Sequence, residues 1–155
     1  ISKSIETVGD QLSLCGFDAV NGEDITNFYT FKSFKSTTVR IPDFEPMEEN
    51  RDGAAIRHAT QKLLQTNAKI KLLMVLSDGE PCHGGTNYTG EYAIEDTKKA
   101  IEEARKAGVK PFGIVVGDMK RNKFEKIYGK NLIIIEDVIK LPDILPVLYR
   151  RLTNL

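Results

Sequence analysis

The sequence predicts an α/β fold: a mostly parallel sheet covered by helices on both faces, with one antiparallel edge strand. Three observations carry this. The runs "IKLLMVLSD", "PFGIVVG" and "NLIIIED" are apolar almost throughout instead of alternating, the pattern of strands buried on both faces. They alternate with segments of helical periodicity, which is the order of a parallel α/β sheet. A single tight-turn signal, Asn21-Gly22, joins two strand-like runs and predicts a hairpin.

Taken in order, "ISKSIETV" places Ile1, Ile5 and Val8 on one stripe and reads as the last turns of a helix stopped by Gly9. "QLSLCGFDA" and "ITNFYTFKSF" are the two hairpin strands. Residues 35–50, with Pro42 and Pro46 among polar residues, form a surface connection. "DGAAIRHATQKLL" is a helix with Ile56, Ala59 and Leu63 on one face and Asp52 as its N-cap. The strand at 70–78 follows, and then a helix from Tyr92 to Ala107 that turns Ile94, Thr97, Ile101 and Ala104 inward and stops at Gly108. "KRNKFEKIYG" is a short helix ended by Gly129. The last helix carries Ile144, Leu145, Leu148 and Leu152, with Asp143 as its cap so that Pro146 falls in the first turn.

At 155 residues the chain is one domain, residues 1–155, with a hydrophobic core. Lys plus Arg (22) equals Asp plus Glu (22), so no net charge draws the chain to nucleic acid or to an anionic membrane surface. No apolar run approaches the roughly 18–20 residues that cross a bilayer, so membrane insertion is not expected either. Cys15 and Cys82 are read as unpaired thiols in a reducing compartment, which places the protein in the cytoplasm. Asn87-Tyr88-Thr89 matches a glycosylation triplet that matters only in a secreted chain.

In sheets of this kind ligands gather at the carboxyl ends of strands, where Asp78 stands. A haloacid-type phosphatase would need a second Asp at position 80, which is Glu. No Walker-type glycine-rich loop is present, Ser77 lacks a nucleophile elbow, and the neighbours Cys82 and His83 are too few for structural zinc. His58 reads as a surface or packing histidine. Two readings of Asp78 stay open from the residues alone. One is a ligand for a hard divalent cation, with Asn50 and Asp52 as partners; the other is a turn residue bonding loop amides ahead of Gly79.

"DGAAIRHATQKLL", "KLLMVLSDGEPCHGGTNYTGEYAIEDTKKAIEEARKAGVKPFGIVVG" and "LPDILPVLYRRLTNL" resemble the carboxyl-terminal von Willebrand factor A domain of nitric oxide reductase activation proteins. Cobalt chelatase and Rubisco activation subunits are similar. The most specific stretch runs from Asp78 through Tyr88, Gly90, Tyr92, Glu95 and Asp96. The resemblance implies a three-layer Rossmann-like fold and a metal-ion-dependent adhesion site for Mg²⁺ (or Mn²⁺) built from three loops. Asp78 then takes the place of the third-loop Asp, and Asn50 stands where the family has the second-loop Thr, with Asp52 beside it to compensate. The first-loop motif Asp-x-Ser-x-Ser does not occur before Ile1, so the sequence is expected to be a domain truncated at its N-terminus. The missing first strand would lie between the strands of Leu14 and Val75. The resemblance further implies a non-enzymatic interaction module working beside an AAA+ ATPase of the MoxR type on a target metalloenzyme. The alternatives are a Mg²⁺-dependent phosphotransfer or hydrolytic enzyme using Asp78, and a metal-independent scaffold with a degenerate site. The acidic helix surface at Glu102 and Glu103 and the segment "KRNK" are read as solvated faces.

Overall fold

A strand with apolar side chains on both faces needs a layer of helices on each side, and the computed structural model shows both layers. It describes residues 5, 9–41, 49–84, 86–117 and 121–153. The described elements are β1 (Leu14–Ala19), β2 (Thr26–Lys32), α1 (Asp52–Leu64), β3 (Lys71–Ser77), α2 (Gly90–Lys106), β4 (Val109–Val116), α3 (Arg121–Tyr128), β5 (Leu132–Ile135) and α4 (Leu141–Thr153). Strands β3, β4 and β5 form a parallel sheet in that order, with Val75 beside Gly113 and Gly113 beside Leu132.

Period-two alternation sends the two sets of strand side chains into two cores. Val75, Val115 and Leu132 meet Ile56, Ile94, Ile101, Phe124, Ile127 and Tyr128 from α1, α2 and α3. Phe112, Ile114 and Ile135 meet Leu148, with Leu72, Met74, Ile144, Leu145 and Leu152 packed against them under α4. Ile101, with no exposed surface, is a residue whose burial contributes about 1.5–3 kcal/mol. The four inward residues expected of α2, Ile94, Thr97, Ile101 and Ala104, are all buried.

β1 and β2 pair antiparallel as a separate hairpin whose turn uses Gly22 at φ 76°, a left-handed conformation that glycine adopts without strain. The hairpin is tied to the rest by α1, where the His58 ring lies 4.4 Å from that of Phe28, centroid to centroid. Among the described residues the outer edges of β1 and β3 have no strand partner, and these two strands do not pair with each other. β3 is therefore central in composition but stands at the edge of its own three-stranded sheet.

Most of the expected N-terminal helix and the prolines at 42 and 46 lie outside the described residues; Ile5 is helical and buried. Two caps differ from expectation. Asp52 is not the N-cap of α1: Arg51 occupies that position, without a capping bond from its side chain, and Asp52 is the first residue of the helix, with its side chain buried. Asp143 does not cap α4 either. The chain enters α4 from a 3-10 turn, Val138–Lys140, whose cap is Asp137, bonded by Ile139 N–H at 2.9 Å. Helix α4 consequently starts at Leu141, and Pro146 lies inside it, leaving the carbonyl four residues back without its helical donor.

Candidate functional site

The loops that follow β1, precede α1 and follow β3 meet at one end of the domain. Their backbone groups find few partners in regular structure, so cross-loop hydrogen bonds hold them. Ala19 N–H donates to Glu49 O at 2.9 Å, and Gly84 N–H to Glu49 Oε2 at 2.5 Å. Asn50 makes a reciprocal pair: its N–H donates to Cys82 O at 2.8 Å, and its side-chain Oδ1 accepts Cys82 N–H at 2.6 Å. Glu80 is held from the other side by Lys123 of α3 at 2.6 Å.

His83 is the residue whose role the sequence reading missed. Reading it as an ordinary loop residue overlooks that it is fully buried. Its Nε2 lies 2.8 Å from Val20 O, an acceptor, so Nε2 carries a proton, and Nδ1 lies 3.2 Å from the Thr86 hydroxyl. The ring fastens the loop after β3 to the β1–β2 turn. Cys82 and Cys15 are free thiols.

Tyr88 performs the matching task on the other flank. Its hydroxyl donates to Asp96 Oδ2 at 2.9 Å and accepts Gly53 N–H at 3.3 Å, satisfying one of the unpaired donors in the first turn of α1. Asp96 in turn receives Arg57 at 2.9 Å, and Arg57 also reaches Glu103 at 2.7 Å. Glu103, read as part of a solvated face, thus belongs to a helix-to-helix network. Burial, reinforced by Asp96, pushes the Tyr88 phenol up to about 12, so it remains a donor at neutral pH. A Cβ at position 53 would collide with the Asp96 carboxylate, which the Tyr88 and Arg57 bonds hold in place. Replacing Tyr88 by Phe keeps the ring but strands Gly53 N–H and the Asp96 oxygen; we expect a loss of about 1–2 kcal/mol in urea unfolding. An unchanged midpoint would show that the hydroxyl does not hold α1 to α2.

Within this frame the three expected ligands differ. Asp78 stands exposed just past the end of β3 and, among the described residues, has no hydrogen-bond partner. The turn there is made by its neighbour, since Ser77 Oγ donates to Gly79 O at 2.8 Å and accepts Gly79 N–H at 3.3 Å. Asp52 is 3% exposed, and its Oδ1 is buried with no hydrogen-bond partner among the described residues. Burial, opposed by its own backbone N–H and assisted by the Asp78 charge, raises its carboxyl to about 7. Asn50 Oδ1 is engaged by Cys82 as described, so this oxygen braces two loops.

A small divalent cation fits the donor chemistry of the first two. Two carboxylates close enough to repel each other, one with a buried unpartnered oxygen, gain most from a hard cation between them. Among the described residues no group of three or more His, Cys, Asp or Glu side chains converges on a metal site. Carboxylates would therefore supply part of a coordination shell that other oxygens complete.

A family model for the von Willebrand factor type A domain matches residues 5–145. The chain belongs to the von Willebrand factor type A domain family. The von Willebrand A domain described here is similar to the Bacillus subtilis uncharacterized protein YojO, 38% identical over 119 residues, covering 74% of this chain and 18% of that protein. It is 33% identical to Protein NorD of Brucella suis over 161 residues, 99% of this chain and 25% of NorD. Protein NorD of Stutzerimonas stutzeri is 33% identical over 132 residues, covering 82% and 21%. The domain spans a quarter or less of the length of these relatives. No described helix of the von Willebrand A domain is long and apolar enough to cross a membrane.

Proposed function

We propose that this von Willebrand A domain is a non-enzymatic protein interaction module that holds Mg²⁺ or Mn²⁺ through Asp78 and Asp52, with Asn50 fixing the loop between them. The observation that carries the reading is the buried, unpartnered Asp52 oxygen within the electrostatic reach of an exposed Asp78. A bound divalent ion would supply positive charge and an open position for a partner's carboxylate. The protein's own groups set the rest: Ser77 turns the chain so that Asp78 stays free, and Tyr88 and Asn50 fix the start of α1 that presents Asp52. We further propose that the domain acts in the activation of a nitric oxide reductase or a related metalloenzyme, a role its likeness to the NorD proteins supports, and that it works in the cytoplasm beside an AAA+ ATPase of the MoxR type.

Calorimetric titration with Mg²⁺ and Mn²⁺ tests the site. Wild type is expected to bind, and Asp78→Ala to lose about tenfold or more in affinity, a loss of one charge-bearing ligand. Equal binding by the two would remove Asp78 from the site. The Asn50–Cys82 bond favours a second reading, a metal-independent scaffold, because it gives Asn50 a structural task. In that case partner binding survives EDTA.

A further inference from the structure

Beside the proposed cation site lies a recess of about 490 Å³, bounded by the β1–β2 turn, the residue ahead of α1 and the loop before α2. Its one cationic lining residue is Arg51, which sits between Asn50 and Asp52 in sequence. The guanidinium is held in place: its carbon lies 4.9 Å from the centroid of the Tyr88 ring, and that ring is fixed by the hydroxyl bonds to Asp96 and Gly53. The Arg51 side chain is 19% exposed. Tyr92, 61% exposed, meets Tyr88 edge-on at 5.6 Å and forms an open aromatic wall.

Arg51 already holds a carboxylate. Nη1 donates to Asp24 Oδ1 at 2.6 Å, and Asp24 is 82% exposed, two residues after Gly22 in the hairpin turn. The two halves of this ion pair are unequal. Arg51 is anchored and mostly desolvated, whereas Asp24 is solvated and easily withdrawn, so the contact itself adds little to stability. A guanidinium has five N–H donors in a planar fork, and the Asp24 contact uses one of its terminal nitrogens. A carboxylate arriving from outside can take both arms of that fork. Arg and Tyr are also the residue types that most often anchor protein interfaces.

We propose that this recess is a docking site for an acidic segment of a partner protein, in which a partner carboxylate replaces Asp24 on Arg51 and the neighbouring partner residue packs on Tyr92. Asp24 acts as an internal stand-in that occupies Arg51 until the partner arrives. The contact needs no cation, so it does not depend on the metal reading of Asp78 and Asp52.

The test uses the full chain in EDTA and at low salt, with fluorescence anisotropy of a labelled peptide of alternating glutamate and alanine, and a lysine and alanine peptide as its counterpart. The acidic peptide is expected to bind in preference to the basic one. Asp24→Asn is expected to tighten acidic-peptide binding about threefold by freeing Arg51, and Arg51→Gln to weaken it about tenfold. Asp24 lies on an exposed turn, so its variant folds even if the Arg51 variant does not. Equal binding of the two peptides, unchanged or weaker binding by Asp24→Asn, or wild-type affinity in folded Arg51→Gln each overturns the proposal. The Mg²⁺ titration reports separately on the cation site, so failure of one reading is distinguishable from failure of the other.

Discussion

In EDTA at about pH 8, Asp52→Asn is expected to be more stable than the wild-type domain by about 3 kcal/mol, and the difference is expected to vanish near pH 4. The reason is the burial of a carboxyl that lacks a partner for one oxygen, next to a second carboxylate. The folded-state value is raised, from 3.8 to about 7, so between these values the folded chain binds a proton that the unfolded chain releases. Stability contributed by the neutral carboxyl is present in full below about pH 4, and is lost as pH rises through about 7. Asn does not titrate and escapes that loss. Urea unfolding of both chains between those limits measures it. If the gap between variant and wild type is the same at every pH, Asp52 is not the destabilising group described here. The proposed cation adds a second expectation. Mg²⁺ should restore much of the wild-type deficit at the alkaline end, where both carboxylates are charged, and leave Asp52→Asn unmoved.

The second large effect is expected at Gly113, in the middle of the central strand β4. A Cβ built there would lie 2.6 Å from Cδ2 and 2.7 Å from Cγ of Tyr128. Neither side can retreat. Tyr128 is 2% exposed and packed in the core between α2 and β4, while Gly113 is paired with Val75 on one side and Leu132 on the other, its N–H bonded to Asn131 O at 2.9 Å. We expect Gly113→Ala to cost about 3 kcal/mol, at the upper end of overpacking penalties. Trimming the ring in Gly113→Ala/Tyr128→Leu should recover part of the loss relative to the stability of Tyr128→Leu alone. Gly79→Ala, with nothing within 4 Å of the added carbon, serves as the control at under about 0.5 kcal/mol. A Gly113→Ala midpoint as close to wild type as that control would show that the ring has room the structure does not give it.

The elements that sequence periodicity located well are those whose burial follows from their own repeat. "DGAAIRHATQKLL" reads as a helix and is one over the same residues, and the three apolar runs are strands that contribute side chains to both cores. The errors fall where a side chain's partner is distant in the chain. Asp52 has the residue type and position of an N-cap, yet nothing local reveals that its carboxyl is buried and affected by Asp78, twenty-six positions on. His83 gave no signal at all, because its task depends on Val20, which the fold brings within 2.8 Å. The one available pointer to Tyr88 was the stretch from Asp78 to Asp96, specific in type but silent on the bonds it makes.

The α/β class, the order of its elements and the position of Asp78 at a strand end are legible in the chain because each follows from periodicity, and the family is legible through the resemblance of contiguous stretches. What the neighbouring groups do is set by the folded arrangement. It buries Asp52 without a partner for one oxygen, gives Asn50 a brace to Cys82, and sets Arg51 between Tyr88 and Asp24. Those outcomes depend on which loops meet and on how much water is excluded where they do. Neither quantity is written in any local stretch of the chain.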